Sequence, residues 1–393
     1  MANVPGNGRS NGSRPRRLLL CLDGVPHKLI EAARHRGLFD AFGPPSRLLS
    51  PFPTMTNVAL SAMLGATPPA GYESLYFDRS ARELRGGIRK YIGRRTPDKI
   101  PSSYMDDLDY QEPLPFEFLI YVAPESVWRA DMGKFRERFR GAPADRDYFA
   151  FLKATDGLLH SQGPARLGVA LESLDKILRE IREHCGSETE IVMFSDHGMN
   201  LEQNRRVPLK STLERRGFQV VIPAFGLCSY VALYCDDAVI PEVAQAVVEV
   251  EGVDFAVYKD RESVVVESGR GRARIENSKY VTESGDPLEL GQWAGDFKTD
   301  GEWFLLTASH KYPDAVPNVY KSLFTPRVQH TADILVSLKD GYYFGWTPFG
   351  RFVNLAATHG NALQSSSNAF LMSTHRQFPE YVRADDAKVL LRE

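Results

Sequence analysis

The amino-acid sequence predicts an α/β fold, in which a mostly parallel central sheet is flanked by helices and carries a small α+β insertion. Short apolar runs that suit strands buried on both faces occur at Leu18–Leu22 and Ile191–Phe194. A long amphipathic helix is predicted between them, because leucines recur at helical spacing from Pro164 to Gly186. Polar residues follow each run directly, at the edge where ligands bind in such sheets.

Size and composition are those of an ordinary globular protein. The chain has 393 residues, enough for one large α/β domain with insertions or for two domains. A hydrophobic fraction of 43%, a charged fraction of 25% and a formal net charge of −2 give no whole-molecule reason to expect nucleic-acid binding. The cysteines lack C-x-x-C spacing, so neither a zinc ribbon nor a disulfide framework is indicated.

The beginning of the chain bears on where the protein resides. Residues 1–16 are rich in Gly, Asn, Ser and Arg and predict a disordered tail. The apolar run that follows is interrupted by Asp23 and is too short for a signal sequence or a membrane span. We therefore expect a cytoplasmic protein without membrane attachment, and the sequence makes no prediction of its oligomeric state.

The segment after the first strand supplies a carboxylate and a threonine. An Asp-Gly pair at Asp23 ends the strand, although such a pair is also typical of a simple turn. Pro51–Asn57 then leads into a short helix predicted over Val58–Leu64. Thr56 or Asn57 therefore lies at a helix N-terminus, where free N–H groups favour an anion, and a plain N-cap is the alternative.

The middle of the chain contains two further polar pairs. Residues 79–147 have no regular pattern and are predicted to form an irregular excursion over the sheet or part of a lid. Asp156 and His160 are four residues apart, close enough to bind one ion if a loop or a helical turn brings them together. Asp196 and His197 follow the second apolar run. An isolated Asp-His pair is usually a surface or helix-capping pair, so its interpretation as a metal site depends on distant partners.

The second half of the chain changes in character before it returns to the core. A strand is predicted over Phe218–Ile222, and residues 226–312 then predict a β-α-β-β insertion without a catalytic cluster. We expect Ala332–Leu338 to bring the chain back to the main sheet. The core is accordingly predicted to comprise residues 17–225 and 313–393.

His359 precedes a last predicted strand, Ala369–Met372, and completes a set of residues suited to divalent ions. Most members follow a predicted strand, and all but the threonine are ordinary ligands of a borderline divalent metal. Three aspartates and a deprotonated threonine carry about four negative charges, which two divalent cations neutralise. The predicted constellation consists of Asp23, Thr56, Asp156, His160, Asp196, His197 and His359.

These residues lie in short motifs that follow one another along the chain. In order, the motifs are Asp-Gly after a first strand, P-T-x-T before a helix, D-x-x-x-H-x-x-G-P, S-D-H-G-M and a late T-H-G. Together they resemble the alkaline phosphatase superfamily, and most nearly its type I phosphodiesterase/nucleotide pyrophosphatase branch, over roughly Leu18 to Met372. The resemblance implies an alkaline phosphatase-like fold and a two-metal-dependent hydrolase of phosphate esters.

The resemblance also implies a role for each residue of the constellation. Thr56 corresponds to the nucleophile, which attacks in line and forms a phospho-threonine intermediate that water hydrolyses; Thr54 is the alternative nucleophile. Zn²⁺ is the metal that the resemblance implies, with Mn²⁺ as the alternative. Ligands of one ion correspond to Asp156, His160 and His359, and those of the second to Asp23, Asp196 and His197, with Thr56.

Substrate recognition is less well defined by the motifs. The backbone N–H of Asn57 is expected to hold a phosphate oxygen, and Ser74 stands where the branch commonly has a phosphate-binding Asn. We expect a small phosphate ester or nucleotide-like substrate, a diester or pyrophosphate rather than a monoester. The alternatives are a phosphonate hydrolase, a phosphomonoesterase or a phosphomutase of the same superfamily, or a non-catalytic module that binds metal and phosphate.

Overall fold

A computed structural model describes residues 16–87, 104, 108–111, 119, 122–325, 327–345 and 355–392. Of the predicted tail, residues 1–15 lie outside the described residues, and Arg16 donates hydrogen bonds to the carbonyls of Phe139 and Ala142. None of the helices in the described part of the chain has the length and apolar character that a membrane crossing requires.

Strands and helices alternate through the first half of the chain. The helices are α1 (His27–His35), α2 (Thr56–Leu64), α3 (Pro124–Gly141), α4 (Ala154–Gln162), α5 (Pro164–Cys185), α6 (Leu209–Arg215), α7 (Ile240–Val248), α8 (Asp300–Thr307), α9 (Ala315–Phe324), α10 (Gln364–Ser367) and α11 (Ala384–Arg392). The strands are β1 (Arg17–Leu22), β2 (Ser46–Leu49), β3 (Leu75–Asp78), β4 (Glu83–Gly86), β5 (Tyr110–Gln111), β6 (Tyr148–Leu152), β7 (Glu190–Ser195), β8 (Arg205–Arg206), β9 (Leu227–Cys228), β10 (Tyr230–Leu233), β11 (Val253–Asp260), β12 (Ser263–Ser268), β13 (Gly271–Glu276), β14 (Lys279–Gly285), β15 (Ile334–Leu338), β16 (Tyr342–Gly345), β17 (Asn368–Ser373) and β18 (Tyr381–Arg383).

The central sheet is mostly parallel, as predicted. Its strand order is β18-β2-β17-β7-β1-β6-β5, and only β17 runs antiparallel to its neighbours. Strand β1 lies between β6 and β7, with Leu22 opposite Leu152 and Ser195. Because parallel strands end at the same edge, the residues that follow β1, β6 and β7 emerge side by side.

Helices bury both faces of this sheet. Alternate residues of β1 face opposite sides, with Leu18, Leu20 and Leu22 in one apolar cluster and Cys21 in another. The first cluster includes apolar side chains of α1, α3, α4 and α5, and the second those of α2 and α11. Coverage on both sides explains why the strands are apolar throughout rather than alternating.

A second sheet follows, with strand order β10-β15-β11-β12-β13-β14 and antiparallel pairing throughout. The expectation that Ala332–Leu338 returns the chain to the main sheet is wrong, because β15 pairs with β10 and β11. Its apolar residues indicate burial but carry no information on which sheet buries them. The domain boundaries at 225/226 and 312/313 stay predictions, although the pairing of β15 extends the second sheet to Leu338.

Two other local predictions need correction. No strand forms at Phe218–Ile222, where only an isolated bridge joins Val221 to Tyr234 and no residue of the segment is buried. Residues 79–147 are not irregular throughout, because they include β4, β5 and the 18-residue helix α3. In α3, Val127, Trp128, Met132 and Phe135 recur at helical spacing, and only the buried Asp131 interrupts their face. The sequence therefore carried a helical signal that the prediction missed. A lid function for this region stays a prediction.

Candidate metal centre and catalytic threonine

The carboxyl edge of the central sheet brings two aspartates together. Asp23 follows β1 and Asp196 follows β7, and the register of the strands places them side by side. Both are buried. Two hydrogen bonds hold these aspartates in place. The Gly24 N–H donates to Oδ1 of Asp196 at 3.1 Å, and the Thr155 hydroxyl donates to the backbone carbonyl of Asp23 at 2.7 Å.

A helix and a loop supply the remaining ligand types. Helix α4 begins directly after β6, so Asp156 in its first turn and His160 one turn later share a face. His359 enters from the loop before α10, and its ring stacks on His197 with centroids 3.8 Å apart. The metal-ligating residues predicted from the sequence thus form two adjacent clusters, Asp156/His160/His359 and Asp23/Asp196/His197, each with ligand atoms within 4.8 Å of one another.

The three histidines of the clusters are oriented by the same kind of contact. Each Nδ1 lies within hydrogen-bonding distance of a backbone carbonyl oxygen: 2.7 Å from Ala357 for His160, 2.8 Å from Thr54 for His359 and 3.0 Å from Gly198 for His197. Such a contact places the proton of the neutral ring on Nδ1, so Nε2 carries the lone pair. Every imidazole therefore presents a metal-ligating atom to its cluster.

The separations between these ligand atoms suit tetrahedral coordination. Metal–ligand distances of about 2.0–2.1 Å give ligand–ligand edges of about 3.3–3.4 Å in a tetrahedron. The observed Nε2–carboxylate distances are 3.3 Å for His160–Asp156, 3.6 Å for His359–Asp156, 3.5 Å for His197–Asp23 and 3.4 Å for His197–Asp196. Each cluster supplies three ligands, which leaves an open position for a nucleophile, a water or a substrate oxygen.

Two carboxylate oxygens have surroundings that would suit a bound cation. Oδ1 of Asp156 and Oδ2 of Asp196 are buried and accept no hydrogen bond from any group in the described part of the chain. These are the same oxygens that face the histidine Nε2 atoms. A buried carboxylate oxygen without a donor is costly, and a bound cation removes that cost.

The charged groups of the first cluster perturb one another's pKa values. Burial raises the pKa of Asp156, but the charges of His160, His359 and His197 outweigh burial and bring this pKa well below its ordinary value. Burial lowers the pKa of His160, but Asp156 outweighs burial and the pKa is raised. Burial, together with the charge of His197, lowers the pKa of His359 far below its ordinary value. An ionised Asp156 and a neutral His359 match the protonation states that metal binding requires, whereas His160 would have to release the proton that Asp156 favours on it.

Thr56 lies at the open side of the second cluster. Its Oγ1 is 3.3 Å from Oδ1 of Asp23 and 3.3 Å from Nε2 of His197. Thr56 is also the first residue of α2, and the preceding Met55 provides no side-chain cap. The first N–H groups of α2 are therefore available to an anion next to the threonine hydroxyl.

The alternative nucleophile, Thr54, is engaged in other contacts. Thr54 is fully buried, and its hydroxyl donates to the carbonyl of Asn361 at 3.1 Å and accepts from the Gly360 N–H at 2.8 Å. Its own carbonyl accepts from Nδ1 of His359. Thr54 thus joins the P-T-x-T segment to the T-H-G segment and orients a ligand.

The residues predicted to contact substrate lie close to α2. The Asn57 amide oxygen accepts a hydrogen bond from the Tyr104 hydroxyl at 3.2 Å, and its amide nitrogen is 3.5 Å from the carbonyl of Gly71. The Ser74 hydroxyl is buried and has no hydrogen-bond partner among the described residues. Substrate contact by Asn57 and Ser74 stays a prediction.

The sequence analysis did not identify two residues, Gly24 and Thr155, that contact the predicted metal ligands without being ligands themselves. Gly24 has φ +69°, and a Cβ built there would be 2.9 Å from Oδ1 of Asp156. Its Asp-Gly pair carried the signal but was also compatible with a simple turn. Thr155, which holds the Asp23 carbonyl, carried no signal because its partner is distant in sequence.

The two adjacent Asp/His clusters at the carboxyl edge of the parallel sheet could hold two divalent ions, an arrangement that phosphatases and nucleases use. Solved structures with this fold resemble the chain over almost its whole length. Murine ectonucleotide pyrophosphatase/phosphodiesterase 5 is 12% identical, with a TM-score of 0.54 over 96% of this chain and 94% of that chain. Phosphonoacetate hydrolase from Sinorhizobium meliloti 1021, in complex with phosphonoformate, is 14% identical, with a TM-score of 0.56 over 96% of this chain and 95% of that chain.

The family model for type I phosphodiesterase / nucleotide pyrophosphatase matches residues 75–345, and the chain belongs to this family. The family consists of phosphoester hydrolases, and the two solved relatives are a nucleotide pyrophosphatase/phosphodiesterase and a phosphonate hydrolase, so the predicted superfamily and enzyme class are confirmed. No curated protein sequence matches the chain. The matched range does not include Asp23, Thr56 or His359, which only the folded structure brings to Asp196.

Proposed function

We propose that the protein is a two-metal-dependent phosphodiesterase or pyrophosphatase that acts through a phospho-threonine intermediate on Thr56. One observation carries the proposal: the Thr56 hydroxyl is 3.3 Å from two ligands of one cluster, while the other cluster adjoins it through the stacked rings of His197 and His359. Asp23, Asp196 and His197 would hold one ion beside the hydroxyl. Asp156, His160 and His359 would hold the other.

The chemistry follows from the position of Thr56. Two bound divalent ions would lower the pKa of the threonine hydroxyl and offset the charge that develops on the phosphoryl oxygens. The Thr56 oxygen forms a bond to phosphorus as the bond to the leaving-group oxygen breaks. Water then cleaves the phospho-threonine bond and restores the hydroxyl. The N–H of Asn57 at the start of α2 donates to a phosphoryl oxygen throughout.

The proposed substrate is a small phosphodiester or pyrophosphate of nucleotide-like size. An inactive variant of the murine ectonucleotide pyrophosphatase/phosphodiesterase 5 has been solved with AMP, at 12% identity and a TM-score of 0.54 to this chain. Phosphonate hydrolysis is the second candidate, and the phosphonoacetate hydrolase structure favours it. A phosphomonoesterase, a phosphomutase or a non-catalytic module are further alternatives.

The metal, the location and the domain division belong to the same proposal. Zn²⁺ is proposed because three mixed carboxylate and imidazole ligands at tetrahedral spacing suit it, and Mn²⁺ is the alternative. The cytoplasmic location and the division into a core and an insertion remain predictions from the sequence. Cell fractionation and limited proteolysis would test them.

Replacement of Thr56 by Ala tests the proposal. The variant should retain two equivalents of zinc by elemental analysis and lose turnover of bis-p-nitrophenyl phosphate by a factor of about 10³ or more, since it lacks the nucleophile. A Thr212→Ala variant, in helix α6 and outside both clusters, is the matched control and should behave as the wild type. Parallel assays with p-nitrophenyl phosphate and phosphonoacetate separate the candidate activities. Full turnover by the Thr56 variant would contradict the proposal. So would elemental analysis that finds no divalent metal in the purified wild-type protein.

A further inference from the structure

The late T-H-G motif and the Asn that follows it lie against the segment that joins β9 to β10. The Thr358 hydroxyl donates to the carbonyl of Leu227 at 2.6 Å. In the opposite direction, the Ser229 N–H donates to the carbonyl of His359 at 2.7 Å, and the Ser229 hydroxyl accepts from the Asn361 N–H at 3.1 Å. Thr358, Ser229 and Asn361 are fully buried, so water does not compete for these hydrogen bonds. The predicted ligand His359 is therefore held through the backbone on both of its sides.

Close packing leaves this loop little room to shift. Gly360 has φ +125°, and a Cβ built there would lie 2.9 Å from Cδ1 and 3.2 Å from the backbone N of Tyr230. The residue after His359 thus rests directly on the first residue of β10. Because a closely packed interior transmits a displacement rather than absorbing it, the position of β10 and that of the His359 backbone are coupled.

Thr358 also contacts the loop that carries a ligand of the second cluster. Its carbonyl accepts from the Asn200 N–H at 2.9 Å, and the two residues form an isolated antiparallel bridge. Asn200 follows His197 by three residues, and the His197 ring stacks on that of His359. Thr358 therefore joins both ligand loops through its backbone and fastens them to β9 through its side chain.

We propose that Thr358 is a positioning residue of the metal centre, whose hydroxyl fixes the His359 backbone to Leu227 so that Nε2 of His359 faces the Asp156 carboxylate, 3.6 Å away. The inference rests on the metal centre of the proposed function. Groups that orient metal ligands without binding the metal contribute about 10–100-fold to metal affinity. Residues 226–312, which the sequence predicts to be an insertion without a catalytic cluster, thereby support metal binding without supplying a ligand.

Zinc titration of the full-length protein against a competing chelator tests this role. Thr358→Val keeps the shape of the side chain but removes the hydroxyl, so the Leu227 carbonyl loses this donor. We expect one of the two zinc equivalents to bind about tenfold more weakly, at the low end for groups that orient ligands. The other equivalent should keep its affinity, because the Thr358 carbonyl still accepts from the Asn200 N–H.

Two further variants test the same contact. Thr358→Ser keeps the hydroxyl and should restore zinc affinity to within about twofold of the wild type, whereas loss of the hydroxyl should exceed that margin. Ser229→Ala removes the acceptor of the Asn361 N–H and should weaken the same zinc equivalent. Because Ser229→Ala acts from the β9–β10 side, it tests the proposal even if the valine variant does not fold.

Thr307→Val is the matched control. Thr307 is also fully buried, and its hydroxyl donates to the carbonyl of Trp303 at 2.6 Å, the same length as the bond from Thr358. It accepts in addition from the Ala315 N–H, so its loss should destabilise the fold at least as much. Thr307 lies on α8, outside both clusters. Urea unfolding should show reduced stability in both valine variants, while only Thr358→Val should lose zinc affinity.

The outcomes separate the inference from the function on which it rests. If the wild type binds two zinc ions and both Thr358→Val and Ser229→Ala match its affinity within about twofold, the positioning role is wrong and the enzyme proposal stands. Equal losses in Thr358→Val and Thr307→Val, or in Thr358→Val and Thr358→Ser, would likewise overturn the role of the Thr358 hydroxyl. If the wild type binds no zinc, the metal centre itself is contradicted.

Discussion

The backbone carbonyl of Thr54 lies 2.8 Å from Nδ1 of His359 and joins two motifs that are 305 residues apart in sequence. The Thr54 hydroxyl strengthens the same connection, because it contacts both Gly360 and Asn361. A threonine two positions before the proposed nucleophile thus orients a ligand of the other cluster. The two halves of the site therefore depend on each other.

Thr54→Val should weaken the first cluster without removing the nucleophile. Valine keeps the shape but leaves the Gly360 N–H and the Asn361 carbonyl without their buried partner, at a cost of about 1–3 kcal/mol in the free energy of unfolding. Urea unfolding measures this loss, and zinc competition should show a weaker site. Thr54→Ser, which keeps the hydroxyl, is the control. Complete loss of turnover in the valine variant with both metals still bound would instead identify Thr54 as the nucleophile.

Gly24→Ala should impair metal binding through a steric contact. The added Cβ would lie 2.7 Å from Cε of Met199 and 2.9 Å from Oδ1 of Asp156, so the ligand must move. Gly37→Ala is a matched control, because Gly37 also has positive φ (+85°) but nothing lies within 4 Å of its Cβ position. Both variants should lose about 1–2 kcal/mol of stability from the left-handed backbone. Only Gly24→Ala should lose zinc affinity, and equal affinities in the two variants would contradict the steric argument.

Asp131 should make the metal-free protein less stable as the pH rises. Its folded pKa is raised to about 7 from the ordinary value of 3.8, so the folded state holds the proton more tightly than the unfolded state. The stability that this proton provides is complete below about pH 4 and is lost as the pH rises through about 7. Asp131→Asn has no such proton to lose. In chelator-treated protein, the Asn variant should gain up to about 4 kcal/mol relative to the wild type between pH 4 and pH 8.

Chemical denaturation across this pH range checks the result. Asp175→Asn is the matched control, because Asp175 is also a buried carboxylate on a helix, α5, and accepts a hydrogen bond from the Phe39 N–H at 2.8 Å. A constant difference in the free energy of unfolding between the wild type and Asp131→Asn at all pH values would show that Asp131 does not titrate in this range.

Local patterns in the sequence were sufficient for the strands and helices that carry the motifs. The apolar runs before Asp23 and Asp196 are long enough and apolar enough to indicate buried parallel strands, and strand β1 indeed pairs with β6 and β7. The leucine spacing after Pro164 likewise predicted α5. These features depend on residues that are close together in sequence, so their periodicity can be recognised without the structure.

Tertiary structure decided which distant segments meet. Nothing in Ile334–Leu338 distinguishes a strand of the second sheet from one of the first, because burial on either sheet demands the same apolar residues. The buried Asp131 interrupts the apolar face of α3, and its hydrogen-bond partner, Tyr110, lies 21 residues earlier in the chain. The sequence by itself determined the ligand types and their order. Only the folded structure determined the Nε2–carboxylate distances, the lack of space for a side chain at Gly24 and the contacts of Thr54. Each of these arises from packing between segments that are far apart in sequence.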